Sequence, residues 1–257
     1  MKRIAELYPR PFQLMGITLF ISFLTACNSA GATVTPLPPG IGRIAFYAQG
    51  IYIINSDGTG LVQLAESGTK PTWSPDGQRI AFVGRDSGIY VMNVDGSGQT
   101  RLSNTENVLV PPPVWSLDNQ QIVFSSFKND GMGSLYLINV EDTLQGKQDN
   151  GPTRLNRQGV DAQSIAWSPD GRQIAFSYRP NLDGPNEIAV LNVEQAHKSS
   201  EGGDWTILSL GSNPNWSPDG QKIAFDSNLE GTVAIYVMDG DGSNQKHLIT
   251  CQVSGHR

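Results

Sequence analysis

Trp73-Ser74-Pro75-Asp76-Gly77-Gln78-Arg79-Ile80-Ala81-Phe82 recurs as Trp167 to Phe176 and as Trp216 to Phe225, each copy opening on Trp-Ser-Pro-Asp-Gly and closing on Ile-Ala-Phe. An altered copy runs from Trp115-Ser116-Leu117-Asp118-Asn119 to Gln121-Ile122-Val123-Phe124, and a headless one remains as Arg43-Ile44-Ala45-Phe46. The closing phenylalanines 46, 82, 124, 176 and 225 stand 36, 42, 52 and 49 residues apart. Self-similarity at ~40 residues marks a four-stranded blade, a unit too thin to bury both of its own faces, so successive blades must stack. The chain therefore predicts an all-β propeller of four-stranded antiparallel blades over residues 41–257, five by this count.

The second copy can be read strand by strand. Strand A is Pro71-Thr72-Trp73, and Ser74-Pro75-Asp76-Gly77 turns the chain: proline pre-sets φ, aspartate bonds nearby backbone, and glycine accepts positive φ. Strand B is Arg79-Ile80-Ala81-Phe82, and strand C is Ile89-Tyr90-Val91-Met92-Asn93, rich in β-branched and aromatic residues. Asp95-Gly96-Ser97-Gly98 turns again into strand D, Gln99 to Leu102. Strand C recurs at Ile51, Leu135, Ile188 and Ile235, and no segment is left over as a helix. Asn119 replaces the turn glycine in blade three, the next most tolerant residue at positive φ.

Ahead of the repeats, Lys2, Arg3 and Arg10 precede an apolar run from Leu14 to Leu24 that ends in Leu24-Thr25-Ala26-Cys27. That run is short against the ~20 residues needed to span a bilayer, which favours a signal peptide over residues 1–26. Residues 28–40 carry no charge and are rich in Pro, Gly, Ala and Thr, the composition of an extended tether reaching at most ~45 Å. Removing residues 1–26 takes away three cations and one anion and moves the net charge from −6 to −8. An acidic domain lacks the basic face that nucleic acid or an anionic lipid surface would require. Cys27 and Cys251 are the only cysteines, so with Cys27 modified the fold rests on no internal disulfide.

Two resemblances add to this. Leu24-Thr25-Ala26-Cys27 resembles the lipobox of bacterial lipoproteins, which implies a diacylglyceryl group on the Cys27 thiol and an exported, membrane-anchored protein, periplasmic or at the cell surface. An ordinary signal peptide with an incidental cysteine, or an uncleaved anchor, is the alternative. The repeat itself, Trp-Ser-Pro-Asp-Gly through Ile-Ala-Phe to Ile-Tyr-Val-Met-Asn and Asp-Gly-Ser, resembles the propeller repeat of the TolB family, shared by prolyl-oligopeptidase-like propellers. It covers residues 41–250 and implies a monomeric, non-enzymatic scaffold for other envelope proteins, without a cofactor. The competing implication is a carbohydrate-active or peptidase-associated propeller.

The ends of the repeat array are asymmetric. Blade one has no strand A of its own type, and a closed five-bladed ring could borrow one from Thr250-Cys251-Gln252-Val253. A truncated six-bladed array would end in the same place, and the tether offers no sixth repeat.

Chemistry-bearing residues read as structure. Asp239-Gly240-Asp241-Gly242-Ser243 resembles the opening of a calcium loop, but Asn244 stands at the glycine place and Thr250 at the glutamate place, and Asp57-Gly58 and Asp95-Gly96 repeat the turn elsewhere. The histidines at 197, 247 and 257 sit singly, so no metal ligand set is expected. Strand A carries no carboxylate for glycosidase chemistry, Asp76, Asp118, Asp170 and Asp219 belong to every turn, and no Gly-x-Ser-x-Gly elbow occurs. Trp73, Trp115, Trp167 and Trp216 hold one repeat position, which suits packing between blades, whereas Trp205 lies outside it, either a contact residue or the opening of a strand D, Trp205-Thr206-Ile207-Leu208.

Up-and-down strands put the A–B and C–D turns on one face and the B–C and D–A loops on the other. The B–C loops differ in every blade and supply the expected partner-binding residues: Arg85 and Asp86, Lys128 and Asp130, Arg179 and Asp183, Asp226 and Glu230. The C–D insertions, Glu141 to Gly151 and Glu194 to Asp204, read as solvated loops. If Cys27 carries the lipid, Cys27→Ser releases the protein from membranes and abolishes labelling by a fatty-acid analogue; labelling that persists in the variant refutes it.

Overall fold

The structure, a computed structural model, describes residues 42–103, 111–127, 133–147, 151–157, 160–180, 184–199, 202–228 and 231–250. The chain divides into Met1–Ala32 and Thr33–Arg257, and every described residue belongs to the second unit. Cys27, Lys128, Asp130, Asp183, Glu230 and Cys251 lie outside the described residues.

Five sheets follow one another along the chain. Blade one is β1 (Arg43–Tyr47), β2 (Ile51–Asn55) and β3 (Val62–Ala65); blade two is β4 (Thr69–Trp73), β5 (Arg79–Val83), β6 (Ile89–Asn93) and β7 (Thr100–Arg101). Blade three is β8 (Val114–Trp115), β9 (Gln121–Phe127), β10 (Gly133–Asn139) and, after the helix α1 (Val140–Leu144), β11 (Thr153–Arg154). Blade four is β12 (Ala162–Trp167), β13 (Gln173–Tyr178), β14 (Glu187–Asn192) and, after α2 (Val193–Lys198), β15 (Trp205–Leu210). Blade five is β16 (Ser212–Trp216), β17 (Lys222–Ser227), β18 (Ala234–Asp239) and β19 (Lys246–Thr250). All pairings are antiparallel between successive strands, and the A strands β4, β8, β12 and β16 touch one another in turn, as innermost strands do.

The repeated pentad builds the same bracket four times. In blade two the Ser74 hydroxyl donates to Asp76 at 2.6 Å and accepts from the Arg79 N–H at 2.9 Å, while the Gln78 N–H donates to the same carboxylate at 3.0 Å. Gly77 closes the turn at φ 68°. Ser116–Asp118, Ser168–Asp170 and Ser217–Asp219 repeat the hydroxyl–carboxylate bond. Asn119 does stand at positive φ, 63°, and its side chain also accepts from the Asp76 N–H at 2.9 Å, tying two neighbouring turns.

Behind each bracket lies a cross-strand pair: Trp73 with Ile80, Trp115 with Ile122, Trp167 with Ile174 and Trp216 with Ile223. The four isoleucines are fully buried. Trp115 donates its indole N–H to the Thr72 carbonyl at 3.3 Å and Trp167 to Val114 at 3.2 Å, in each case the inner strand of the preceding blade. The core is accordingly four inter-blade clusters, with Ile51, Ile53, Ile80 and Phe82 between blades one and two and Ala175, Ile188, Phe225 and Tyr236 between four and five. Among the described residues no such cluster joins blade five to blade one.

Four expectations need correction. The C–D insertions are not simple loops: Asn139 and Asn192 cap α1 and α2 by accepting from the N–H groups of Asp142 and Gln195, and Val140, Val193 and Ala196 are buried beneath them. The second insertion is also pinned, with Gly203 bonded to Leu155 and Arg157 of blade three. Trp205 is no free contact residue, since it packs edge-on against Phe176 and Tyr178 and opens β15. Asp226 lies within β17, and Thr250 pairs with Ala234 as the end of blade five's outer strand, which removes it from any closing strand A.

Trp167→Ala should destabilise the fold by about 3–5 kcal/mol, the range for emptying a large aromatic site, and a denaturant titration showing under ~1 kcal/mol would remove the residue from the core. The turn carboxylates give a pH signature. The Ser hydroxyl and then a backbone N–H hold Asp76 and Asp170 below the ordinary carboxylate pKa. A depressed folded pKa contributes stability above the unfolded value of ~3.9 and loses it as pH falls through the folded one. The destabilisation by Asp170→Asn should thus be larger at neutral pH than at pH ~2, and an equal loss at both counts against the bracket.

Candidate functional site

The face built by B–C and D–A connections carries a cleft of about 500 Å³ where blades four and five meet. Its floor is backbone, Leu210-Gly211-Ser212, the one-residue link between β15 and β16. Arg179 and Asn186 from the B–C connection of blade four form one side, and Asp226, Asn228 and Val233 from blade five the other. A Cβ on Gly211 would stand 2.7 Å from the Asp226 carbonyl and 2.8 Å from the Phe225 ring, so only glycine lets the chain pass this low.

Polar bonds stiffen the walls. The Arg179 Nε–H donates to Asn186 at 3.2 Å, Asn186 donates onward to the Ser212 hydroxyl at 2.9 Å, and the Ser227 hydroxyl donates to the Leu210 carbonyl at 2.8 Å. Asp226 accepts from the Asn213 amide at 2.8 Å. Leu210 and Val233, also in the lining, remain 39% and 50% exposed. The lining thus combines a cation, an anion and two exposed aliphatic side chains.

Of the expected binding residues, the structure therefore unites Arg179 and Asp226. Arg85 and Asp86 sit apart, in a hollow of about 260 Å³ on blade two with Phe82 and Tyr90. There Asp86 serves its own loop: it accepts from the Gly88 N–H and the Tyr90 hydroxyl and pairs with Arg101 at 3.2 Å. Burial opposes its charge, but those partners outweigh burial and keep its pKa below the ordinary value. Asp161 was not expected. It precedes β12 near Arg179, and its pKa is raised chiefly by burial, against the Gln163 amide and the Arg179 charge. Only its place in a D–A connection could have signalled it.

The C–D turns keep their acids for themselves. Asp57, Asp95 and Asp241 each accept both the N–H and the hydroxyl of the Thr59, Ser97 or Ser243 two residues on, with Gly58, Gly96 and Gly242 at φ 84°, 82° and 88°. These are hairpin turns by construction.

Stacked four-stranded blades with A strands innermost define a β-propeller. The chain belongs to the TolB β-propeller family: the profile of the TolB beta propeller domain matches residues 89–255. A search of curated proteins finds no match. Among solved structures it is similar to TolB from Acinetobacter baumannii, at 20% identity and a TM-score of 0.58, covering 82% of this chain and 54% of that one. It is also similar to an oligogalacturonate lyase in complex with manganese (14% identity, TM-score 0.61, covering 80% and 60%) and to Porphyromonas gingivalis dipeptidyl peptidase 4 (17%, 0.55, covering 84% and 37%). The chain spans only about half the length of the Acinetobacter protein. At such identities the likeness is one of fold.

Gly211→Ala should destabilise the fold by overpacking against Phe225, on the order of 1–3 kcal/mol, and so lower the denaturation midpoint. An unchanged midpoint would mean that the floor has room the geometry denies it.

Proposed function

We propose that this propeller performs no chemistry and acts as an exported, lipid-anchored scaffold that holds a segment of an envelope protein in the cleft between blades four and five. The observation that carries the reading is that Arg179 and Asp226, from different blades, line one cleft together with exposed Leu210 and Val233. An extended polypeptide offers charge of both signs and aliphatic side chains at short intervals, and such a groove complements it. Family membership supports envelope residence, and the Cys27 lipobox supports the anchor.

The rival reading, a carbohydrate-active or peptidase-associated propeller, draws on the lyase and the peptidase among the similar structures. The described inner strands β4, β8, β12 and β16 carry no Asp or Glu, which favours the scaffold.

Capture from chemically cross-linked envelopes tests the proposal. Arg179→Glu and Val233→Ser should each reduce recovery of the partner by roughly tenfold without moving the melting temperature, because exposed side chains contribute little to stability. Arg85→Glu, on the blade-two hollow, should leave recovery intact. Recovery that survives the first two changes and falls with the third would move the site to blade two.

A further inference from the structure

Blades one to four each receive the following blade on the same set of side chains. In blade two these are Ala81 and Val91, paired across β5 and β6, with Ile89 and, just past β7, Leu102; all four are buried in one cluster with Ile122 and Phe124 of blade three. In blade four, Ala175, Val190 and Ile188 are buried with Ile223 and Phe225 of blade five, and Leu208 packs against them. What arrives is constant. In all four clusters it is an isoleucine and, two residues on, a phenylalanine from strand B of the next blade.

Blade five builds the receiving set a fifth time. Ala224 pairs with Val237 across β17 and β18, Ile235 takes the place of Ile188, and Leu248 takes that of Leu64 and Leu208, each the extra residue of a bulge between strands C and D. Ile249 stands opposite Ile235 as Ala65 stands opposite Ile51. Among the described residues no core cluster forms on this set. Ala224, Ile235 and Val237 are only half-buried, Leu248 is 54% exposed where Leu64 is 8%, and Ile249 is 62% exposed where Ala65 is 7%.

We infer that this face of blade five is a docking surface for a β-hairpin of a separate polypeptide, one whose first strand presents an isoleucine and, two residues on, a phenylalanine. The four filled copies define that chemistry. Residues two apart on a strand share a face, and in blades two, three and five the phenylalanine is stacked on a tyrosine of the paired strand, so a hairpin brings the whole complementary surface where a lone strand brings half.

Inside the molecule the matching side chains are taken. The isoleucine and phenylalanine of blades two to five are already buried against the blade before, and Ile44 of blade one is 52% exposed in the same structure that leaves Leu248 exposed, so one does not cover the other. A second copy would bring blade one with four more blades stacked behind it, whereas a separate hairpin brings the same side chains alone. The surface is also distinct from the cleft: Ala224, Ile235, Val237, Leu248 and Ile249 are not among the residues that line it.

A synthetic peptide copying residues 222–239, the hairpin that fills this place on blade four, tests the inference on the full chain. The labelled peptide should bind one to one, and its Phe225→Ser version should bind at least about tenfold more weakly. In the protein, Leu248→Asp and Ile249→Asp, both at exposed positions, should each weaken binding by the same order while leaving the melting temperature in place. Arg179→Glu, in the cleft, should leave peptide binding unchanged. Absence of peptide binding, or binding indifferent to Leu248→Asp and Ile249→Asp, would overturn the inference. So would self-association abolished by Leu248→Asp, which assigns the face to a second copy, or peptide binding that appears only once residues 251–257 are removed, which assigns it to this chain.

Discussion

A four-stranded blade has two apolar faces and can cover neither alone, and that constraint organises the molecule. Blades two to five each lay an Ile–Phe face on the blade before, as Ile80 and Phe82 of blade two, with Tyr90, lie on Ile51 and Ile53 of blade one. The stacked Phe–Tyr pair recurs in four blades, at 46–52, 82–90, 124–136 and 225–236. Because the contact is between neighbours, stability is distributed along the array, and the terminal blades are where apolar surface is left uncovered. The exposure of Ile44, at the start of the described array, accords with this.

Stacking alone leaves the angle between strands A and B undetermined, and the Ser–Asp bracket sets it. A hydroxyl that binds both a carboxylate and the first N–H of strand B holds Trp and Ile in register across the hairpin. The bracket uses its polar groups internally, so the face it occupies offers a ligand little. On the other face the B–C connections of blades four and five differ, and a one-residue D–A link lines the cleft. Structural turns on one face thereby free the opposite one for recognition.

The fold was legible because its determinants are local and repeated: a tight turn with a demanding φ, an alternating strand, and an aromatic at constant offset. Asn119 shows how far that legibility went, since its tolerance of positive φ was readable and its bond to the Asp76 N–H of the neighbouring blade was not. The one-turn helices α1 and α2 escaped because so short a segment has little periodicity; the Asn cap followed by Val and Glu was the available signal. For Trp205 the strand D reading was legible and its packing was not, as its partners Phe176 and Tyr178 are remote in sequence.

By itself the sequence determined the blade, its strand order, its turns and the tryptophan positions, all of which depend on interactions between residues a few places apart. Only the tertiary structure decided which loop residues come together. Arg179 and Asp226 belong to different blades, and what brings both into one cleft is the packing of blade five on blade four, which is close enough at Gly211 to leave no room for a side chain. Asp86, equally charged and equally in a loop, was withdrawn from that role by Tyr90, Gly88 and Arg101. Arg179 and Asp226 each keep one side-chain partner, Asn186 and Asn213, so what separates them from Asp86 is how much of each charge its neighbours take up.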